Sequence, residues 1–325
     1  MTEIKVFCPA TIANLNCGFD VLGLCLEGIG DEMVIRKVAE KGIRITKITG
    51  ADLPMETEKN VAGVAALALL KSVKKRNNHY IPSKSSKNID IVPIAIGIEI
   101  EIHKKIKAGS GIGSSSASAA GAVFGINELL GRPFKRHELV YFAMKGEVIA
   151  SGSEHADNVA PCILGGFTLV RGYNPLDVIR IESPSEIFAV VLHPHIEVKT
   201  SDSRAVLSPT IGLKDAITQW GNLGGLIAGL YSKDYELIGR SLQDVIIEPL
   251  RKKLIPNFDQ VKNSALDAGA LGAGISGAGP SIFALCKGQT IAEQVAYAMS
   301  NSYLDTGIPF DIHISKVNAE GVKIM

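Results

Sequence analysis

The 325-residue sequence predicts a two-domain α+β protein. Three observations carry that expectation. Strand-like and helix-like segments are interleaved without the regular β-α-β rhythm of a doubly wound sheet. The character of the chain changes between two apolar runs, Leu164–Arg171 and Phe188–Leu192, across the turn signals Asn174-Pro175 and Ser183-Pro184. A chain of this length that is 46% apolar and 21% charged can bury two cores, which excludes a disordered protein. The expected units are residues 1–172 and 173–325.

Ile4–Cys8, Glu32–Val38 and Ile43–Ile48 carry β-branched residues in partial alternation and are expected strands. Asn60–Lys75 is the clearest early helix, with Val61, Val64, Ala65, Leu67, Ala68 and Leu69 on a broad apolar face and lysines in its last turn. Residues 75–88 are polar, and Asn77-Asn78 and Ser83–Ser86 read as exposed loop. Ile96–His103 alternates as a strand. A helix over Ser116–Leu130 stops at Gly131-Arg-Pro133, and another is expected over Arg136–Ile149. Leu164–Arg171 and Phe188–Leu192 read as buried strands. The second half continues with helices near Asp215–Tyr231, Tyr235–Val245 and Phe258–Ala268 and strands near Ile282–Cys286 and Ile312–Val317.

A net charge of +1 gives no reason to expect nucleic acid or an anionic membrane as partner, and the basic patch Lys71–Arg76 reads as the solvated end of a helix. No uninterrupted apolar run reaches the length of a membrane span. Five scattered cysteines, Cys8, Cys17, Cys25, Cys162 and Cys286, form no Cys-x-x-Cys pair, so neither a disulfide framework nor a zinc site follows. Reduced thiols in a cytoplasmic protein are expected, and the polar start Met-Thr-Glu-Ile-Lys lacks the order of a secretory signal.

The most informative segment is Lys107-Ala-Gly-Ser-Gly-Ile-Gly-Ser-Ser-Ser116, between the Ile96–His103 strand and an alanine-rich helix. Gly109, Gly111 and Gly113 permit backbone angles that let successive N–H groups converge, and the helix start near Ser114 or Ser115 adds unpaired N–H groups and the positive end of a dipole. Strand, glycine loop and small-residue helix is an order that binds phosphate; a flexible connector is the alternative reading. The loop is not a Walker motif, since no Gly-Lys-Ser/Thr closes it, and lacks the dinucleotide Gly-x-Gly-x-x-Gly spacing.

Pro9-Ala-Thr-Ile-Ala-Asn-Leu-Asn-Cys-Gly-Phe-Asp20 follows the first strand with short polar side chains, where neither a long strand nor a helix forms easily. Asn14 and Asp20 could hold a polar substrate or make Asx turns. Gly152–Pro161 crowds Glu154, His155, Asp157 and Asn158 between small residues, after Glu147 on an expected helix; Glu147 suits a phosphate-bound Mg²⁺. Gly272–Ser281 is a second glycine-rich loop, able to present amides to an anion or to serve only as a tight turn. Thr200–Arg204 and Glu248–Arg251 each offer a guanidinium for a carboxylate, with surface solvation as the default.

Together Pro9–Asp20, Gly109–Ala120 and Gly272–Ser281 resemble the three signature regions of the GHMP kinases over nearly the full chain. His155-Ala-Asp-Asn-Val-Ala-Pro161, Gly165-Gly166, Glu248-Pro-Leu-Arg251 and the opening Ala13-Asn-Leu with Gly18-Phe-Asp20 are similar to the homoserine kinase family. The resemblance implies a ribosomal-S5-like N-terminal domain and a ferredoxin-like C-terminal domain, with ATP and L-homoserine meeting between them. It implies that Lys107, Ala108, Gly109, Ser110, Gly111, Ile112, Gly113, Ser114, Ser115 and Ser116 surround the nucleotide's phosphates, that Ser115 and Glu147 hold Mg²⁺ and that Asn60 lies near the nucleotide. Asn14, Asp20, His155, Thr200, Arg204, Arg251 and Gly277 would form the homoserine pocket, and a homodimer is compatible with the family. Homoserine kinases commonly begin the phosphate loop with Ile-Pro; here Ile106-Lys107 stands, and lysine could approach a phosphate.

Other GHMP kinases carry an aspartate base where this chain has Asn158. The implied catalysis is therefore alignment and charge neutralisation rather than proton abstraction. Competing readings are a GHMP kinase for another alcohol, a nucleotide-binding regulator without turnover, and a serine hydrolase using Ser114 or Ser115 with His155 and Asp157. The last lacks the Gly-x-Ser-x-Gly elbow.

Overall fold

The computed structural model describes residues 2–78, 97–152 and 154–325, and resolves the expected alternation into two sheets. The first part runs β1 (Glu3–Ala13), β2 (Leu22–Val38), β3 (Gly42–Thr49), α1 (Val61–Asn78), β4 (Gly97–His103), α2 (Ser114–Leu129), α3 (Leu139–Ser151), α4 (Val159–Leu164), β5 (Phe167–Tyr173) and β6 (Leu176–Ile181). The second runs β7 (Ile187–Pro194), α5 (Thr200–Ala205), α6 (Leu213–Ser232), α7 (Tyr235–Ser241), α8 (Glu248–Arg251), α9 (Phe258–Asp267), β8 (Gly272–Ile275), β9 (Ile282–Lys287), α10 (Gln289–Leu304) and β10 (Phe310–Lys316), before β11 (Lys323–Ile324).

In the first sheet β2 pairs antiparallel with β1, β4 and β5, β3 lies parallel to β4, and β11 returns to the free edge of β1. Alternation explains β1 and β4: Ile4, Val6 and Cys8, like Ile98, Ile100 and Ile102, turn into one core while Glu3 and Lys5 stay outside. Helix α2 is rich in Ala, Gly and Ser, above all in its first half, and is buried almost all round, packed against α1 and α3 and close to the sheet. A Cβ at Gly125 would collide with Ile35, so the small residues of α2 let it sit directly on β2. This close seating fixes where the N-terminus of α2 points.

The second sheet, β10-β7-β9-β8, is wholly antiparallel. Strand, helices, two strands, helix, strand in spatial order 4-1-3-2 is the ferredoxin-like arrangement. Its own core joins Val190, Leu192, Phe258, Val261, Ile282 and Met299.

Several sequence expectations need correction. Pro9–Ala13 continues β1 past an irregularity between Pro9 and Thr11 instead of opening a loop. Asn77 and Asn78 close the last turn of α1; the loop expected at Ser83–Ser86 lies outside the described residues. Residues 159–164 form α4 and the strand starts only at Phe167. Gly272–Ile275 is a strand, leaving Ser276–Ser281 as the glycine turn. Asn174-Pro175 turns the β5–β6 hairpin, and the sheet changes between Ile181 and Ile187, at the Ser183-Pro184 signal. Helix α10 was not anticipated. All five cysteines are buried and free, and among the described residues no helix is long and apolar enough to cross a membrane.

Candidate active site

Strand β4 delivers the chain to the glycine loop, where Gly109, Gly111 and Gly113 take φ values of 71°, 80° and 73°. Only residues without a Cβ adopt such angles cheaply in succession. Gly113 is the N-cap of α2, so the unpaired amides of the helix's first turn face the same cleft as the loop. The cleft encloses about 770 Å³. Ser114 Oγ donates to the Ile106 carbonyl (2.9 Å) and ties the two ends of the loop, whereas Ser115 Oγ donates to Glu147 Oε2 (3.0 Å).

The second glycine turn supports the first. Ser276 Oγ donates to the Gly111 carbonyl at 2.7 Å and Ser281 Oγ to the Ser110 carbonyl at 2.6 Å. Three of its own amides are engaged within the chain: Ser276 N–H donates to Ser281 O, Gly277 N–H to Ala13 O and Gly279 N–H to Ser276 O. The segment is a tight turn that buttresses the phosphate loop, and Gly277, Ala278 and Gly279 of it line the cleft.

Beneath the loop lies a buried ion pair that the sequence did not reveal. Lys104 Nζ contacts Asp31 Oδ2 and donates to the Ser114 carbonyl (2.7 Å) and Ser118 Oγ (3.1 Å). Asp31 Oδ1 accepts the Lys105 and Ile106 amides at 2.7 and 2.9 Å. Asp31, 73 residues away on β2, thereby holds the entry to the loop, and Lys104 lines the cleft beside the start of α2. Only the fold brings them together, so no local motif could have announced the pair.

Two carboxylic acids share the cleft. Burial pushes Glu147 up to about 7, opposed by hydrogen bonds from Ser115 and Ser116. Burial, with the Asp20 charge adding to it, pushes Asp157 up to about 7. In the sequence Asp157 has a role only in the hydrolase reading; the kinase resemblance assigns it none. Glu154, from the same cluster, turns away to pair with Lys145.

At the far end, a tightly folded connection sets the polar groups. Asn14, Leu15, Asn16 and Asp20 all have positive φ, folding the β1–β2 connection tightly. Asn14 Nδ2 donates to Gly277 O (2.8 Å) and its Oδ1 accepts the Asp20 amide (3.0 Å). Arg204 Nη2, on α5, lies 2.8 and 3.0 Å from the two Asp20 carboxylate oxygens and 3.1 Å from His155 Nε2. Burial, the leading cause, and the Arg204 charge lower the proton affinity of His155, while Asp20 raises it. Arg251 is buried, donates to Ser203 O (3.0 Å) and Gly277 O (3.1 Å) and stands 4.9 Å from the centre of the Phe19 ring. Burial and Arg204 lower its pKa to about 10. Arg251 braces the site and Arg204 presents its guanidinium to it.

Most sequence candidates therefore converge on one cleft, including Asn60, Ala108, Thr200 and Asn158. Asn158 Oδ1 accepts from Thr11 Oγ1 at 2.7 Å. Asn60 spends its amide on the Pro54 carbonyl and the Ala62 N–H, capping α1 at the cleft wall. Three expected phosphate neighbours do not line it. Lys107 is drawn outward to Asp311 on β10 (3.2 Å) and to His195, just past the end of β7 (2.8 Å), so it ties the loop across to the second sheet instead of approaching a phosphate. Ile112 packs into the core and offers its carbonyl to Thr11 N–H, and Ser116 is buried behind Glu147. The hydrolase reading fails on geometry: Ser114 and Ser115 bond Ile106 and Glu147, while His155 faces Arg204 and Asp20.

The donor set also suits a divalent cation. A hydroxyl and a buried carboxylate, 3.0 Å apart at the positive end of a helix, leave room in the coordination sphere for phosphate oxygens and water, and a cation would relieve the cost of ionising Glu147 there. Hard oxygen donors in this number are what Mg²⁺ takes beside a polyphosphate.

Amide loop, buried acid and two-sheet cleft define a small-molecule kinase. The profile described as GHMP kinases N terminal domain matches residues 62–166, and that described as GHMP kinases C terminal matches residues 226–305. A homoserine kinase of Chlorobium phaeobacteroides is 44% identical over all of both chains, and one of Chlorobaculum tepidum is 43% identical, covering 100% of this chain and 99% of the relative. The crystal structure of homoserine kinase from Cytophaga hutchinsonii superposes with a TM-score of 0.91 at 48% identity, covering 100% of this chain and 98% of that one. The chain belongs to the GHMP kinases and, among them, to the homoserine kinases.

Proposed function

We propose that the cleft transfers the γ-phosphoryl group of ATP to the side-chain hydroxyl of L-homoserine, giving O-phospho-L-homoserine and ADP, a step toward threonine. The observation that carries this reading is the placement of the Asp20–Arg204 ion pair in the same cleft as the Gly109–Ser115 amides. An amino acid is a zwitterion, and it can replace that pair's mutual contact: its carboxylate answers Arg204 and its ammonium answers Asp20. An uncharged alcohol would leave both charges without their exchange partners. Asn14 holds the Asp20 backbone in place, and Thr200 and His155 border the pocket.

The loop amides and the first turn of α2 orient the triphosphate, and Lys104, fixed by Asp31, adds a buried positive charge beside them. Ser115 and Glu147 would hold Mg²⁺, which when bound neutralises charge on the phosphates. The homoserine oxygen bonds to the γ-phosphorus as the β–γ bridge breaks, and the hydroxyl proton passes to a phosphoryl oxygen or water, because the Asn158 amide cannot accept it. Asn158→Ala is accordingly expected to lower kcat less than about tenfold, below the usual contribution of a general base. Loss of turnover with both ligands still bound would contradict this.

An ADP-release assay with homoserine, serine, threonine and mevalonate side by side tests the assignment: homoserine should be turned over with by far the highest kcat/KM, and faster turnover of mevalonate would overturn it. Five buried free thiols support a reducing, cytoplasmic setting.

A further inference from the structure

Strand β7 is apolar along its length except for one side chain. Ile187–Leu192 are buried, and so is His193, which is only 5% exposed. A buried imidazole is costlier than an apolar side chain of similar size unless its nitrogens are hydrogen-bonded. His193 Nδ1 lies 3.2 Å from Ser281 Oγ, and Ser281 Oγ lies 2.6 Å from the Ser110 carbonyl of the phosphate loop. Ser281 has one hydroxyl proton, and a carbonyl oxygen can only accept, so that proton is committed to Ser110. The contact to the ring then has one possible sense: Nδ1–H donates and Ser281 Oγ accepts. Burial, followed by the Lys107 charge, pushes the pKa of the ring down to about 4, which leaves a neutral imidazole with its single proton on Nδ1 and a bare Nε2.

We infer that His193 is a positioning residue for phosphoryl transfer, acting through Ser281 to hold the Ser110–Gly111 peptide so that the Gly111 N–H is presented to the nucleotide's phosphates. The inference rests on the phosphate reading of the loop and concerns a residue that does not line the cleft. The Ser110–Gly111 bond is trans, so its carbonyl and its N–H point to opposite sides. Anchoring the carbonyl on Ser281 therefore turns the N–H away from the buttressing turn, on a residue that does line the cleft. Among the described residues that N–H donates to no other group of the chain. Gly111 has no Cβ to restrict its backbone, so the peptide plane before it needs an external anchor. A hydroxyl that accepts one hydrogen bond donates a stronger one, so His193 tightens the bond that Ser281 makes to the loop. Asp311 stands directly opposite His193 across the β7–β10 pair and takes Lys107, so the same sheet grips the loop at both Lys107 and Ser110.

Imidazole nitrogen NMR of the native chain reads the relay without any substitution: the His193 proton should sit on Nδ1, with Nε2 bare. His193→Leu should raise the KM for ATP and the Kd of magnesium–ADP roughly 3- to 10-fold, the worth of one hydrogen bond, with the KM for homoserine unchanged. His193→Asn, whose side-chain N–H can stand where Nδ1–H does, should keep ATP affinity near the native value, whereas His193→Gln, which places its amide at the Nε2 position, should not. In a Ser281→Ala chain the His193→Leu change should have no further effect on ATP, because the relay is already cut. A proton found on Nε2 overturns the relay. So does a His193→Leu chain with native affinity for ATP, an effect of equal size with and without Ser281, or one that raises both KM values alike. A Gly111 amide resonance that does not respond to magnesium–ADP overturns the phosphate reading of the loop, and the inference with it, whatever tautomer the ring holds.

Discussion

Glu147→Gln is expected to lose most activity and yet, free of ligands, to be stabler than the native chain at pH 8. The native carboxyl is pushed from its ordinary value of 4.5 up to about 7 by burial. The folded state therefore keeps this proton where the unfolded state has lost it, and stability falls as pH rises from about 4.5 through about 7. A shift of this size corresponds to about 3 kcal/mol at pH 8. Glutamine keeps the shape, carries no charge and escapes that cost, so thermal melts of variant and native chain should nearly coincide at pH 5 and separate at pH 8, with the variant higher. Activity should move the other way, with kcat lower by roughly 10²–10³, the usual consequence of losing one electrostatic stabiliser of the transition state. Magnesium with a nucleotide should raise the native melting temperature more than that of the variant. If Glu147→Gln melted below the native chain at pH 8, the burial argument for this carboxyl would be wrong.

Gly111→Ala should damage both fold and turnover. At φ 80° an alanine is strained, and its Cβ would lie 2.6 Å from the Gly279 carbonyl oxygen and 2.7 Å from that of Ser276. Those atoms are backbone of the turn that braces the loop, so the loop must move. A loss of about 3 kcal/mol is expected from the left-handed backbone plus overlap in a packed site. The displacement should also cost roughly 10²-fold in kcat/KM, since misplacing a positioned phosphate by an ångström carries a penalty of that order. Gly131→Ala is the control: its φ is 79°, but a Cβ there meets nothing within 4 Å, so it should lose some stability and keep its kinetics. Equal kinetic effects in the two variants would mean that contact with the Ser276–Ser281 turn does not hold the phosphate loop.

The parts of this site that could be read in the sequence are those whose signal is local. Gly109, Gly111 and Gly113 between a strand and a small-residue helix state their own backbone requirement, and Glu147 follows on the next helix. Lys104 could not be read this way, because a lysine after a strand looks solvated until Asp31 is brought beneath it from β2. Lys107 misleads for the complementary reason: the carboxylate it pairs with, Asp311, lies 204 residues away on a strand of the other sheet. The second glycine loop resembles the first in composition, and only its hydrogen bonds show that the Ser276, Gly277 and Gly279 amides are committed within the chain and that its serines brace the first loop. In the fold, α10 was legible in principle, since Ala292, Val295, Ala296, Met299 and Tyr303 recur at helical spacing. Strand β6, by contrast, is half exposed and without alternation, so its place depends on pairing with β5.

A crystal structure with a non-hydrolysable ATP analogue, magnesium and L-homoserine tests the central claim most directly. The account predicts the terminal phosphates against the Gly109–Ser115 amides, magnesium at Ser115 and Glu147, and the amino acid between Asp20 and Arg204 with its hydroxyl toward the γ-phosphate. Phosphates bound away from that loop, or homoserine bound without contact to either Asp20 or Arg204, would contradict it.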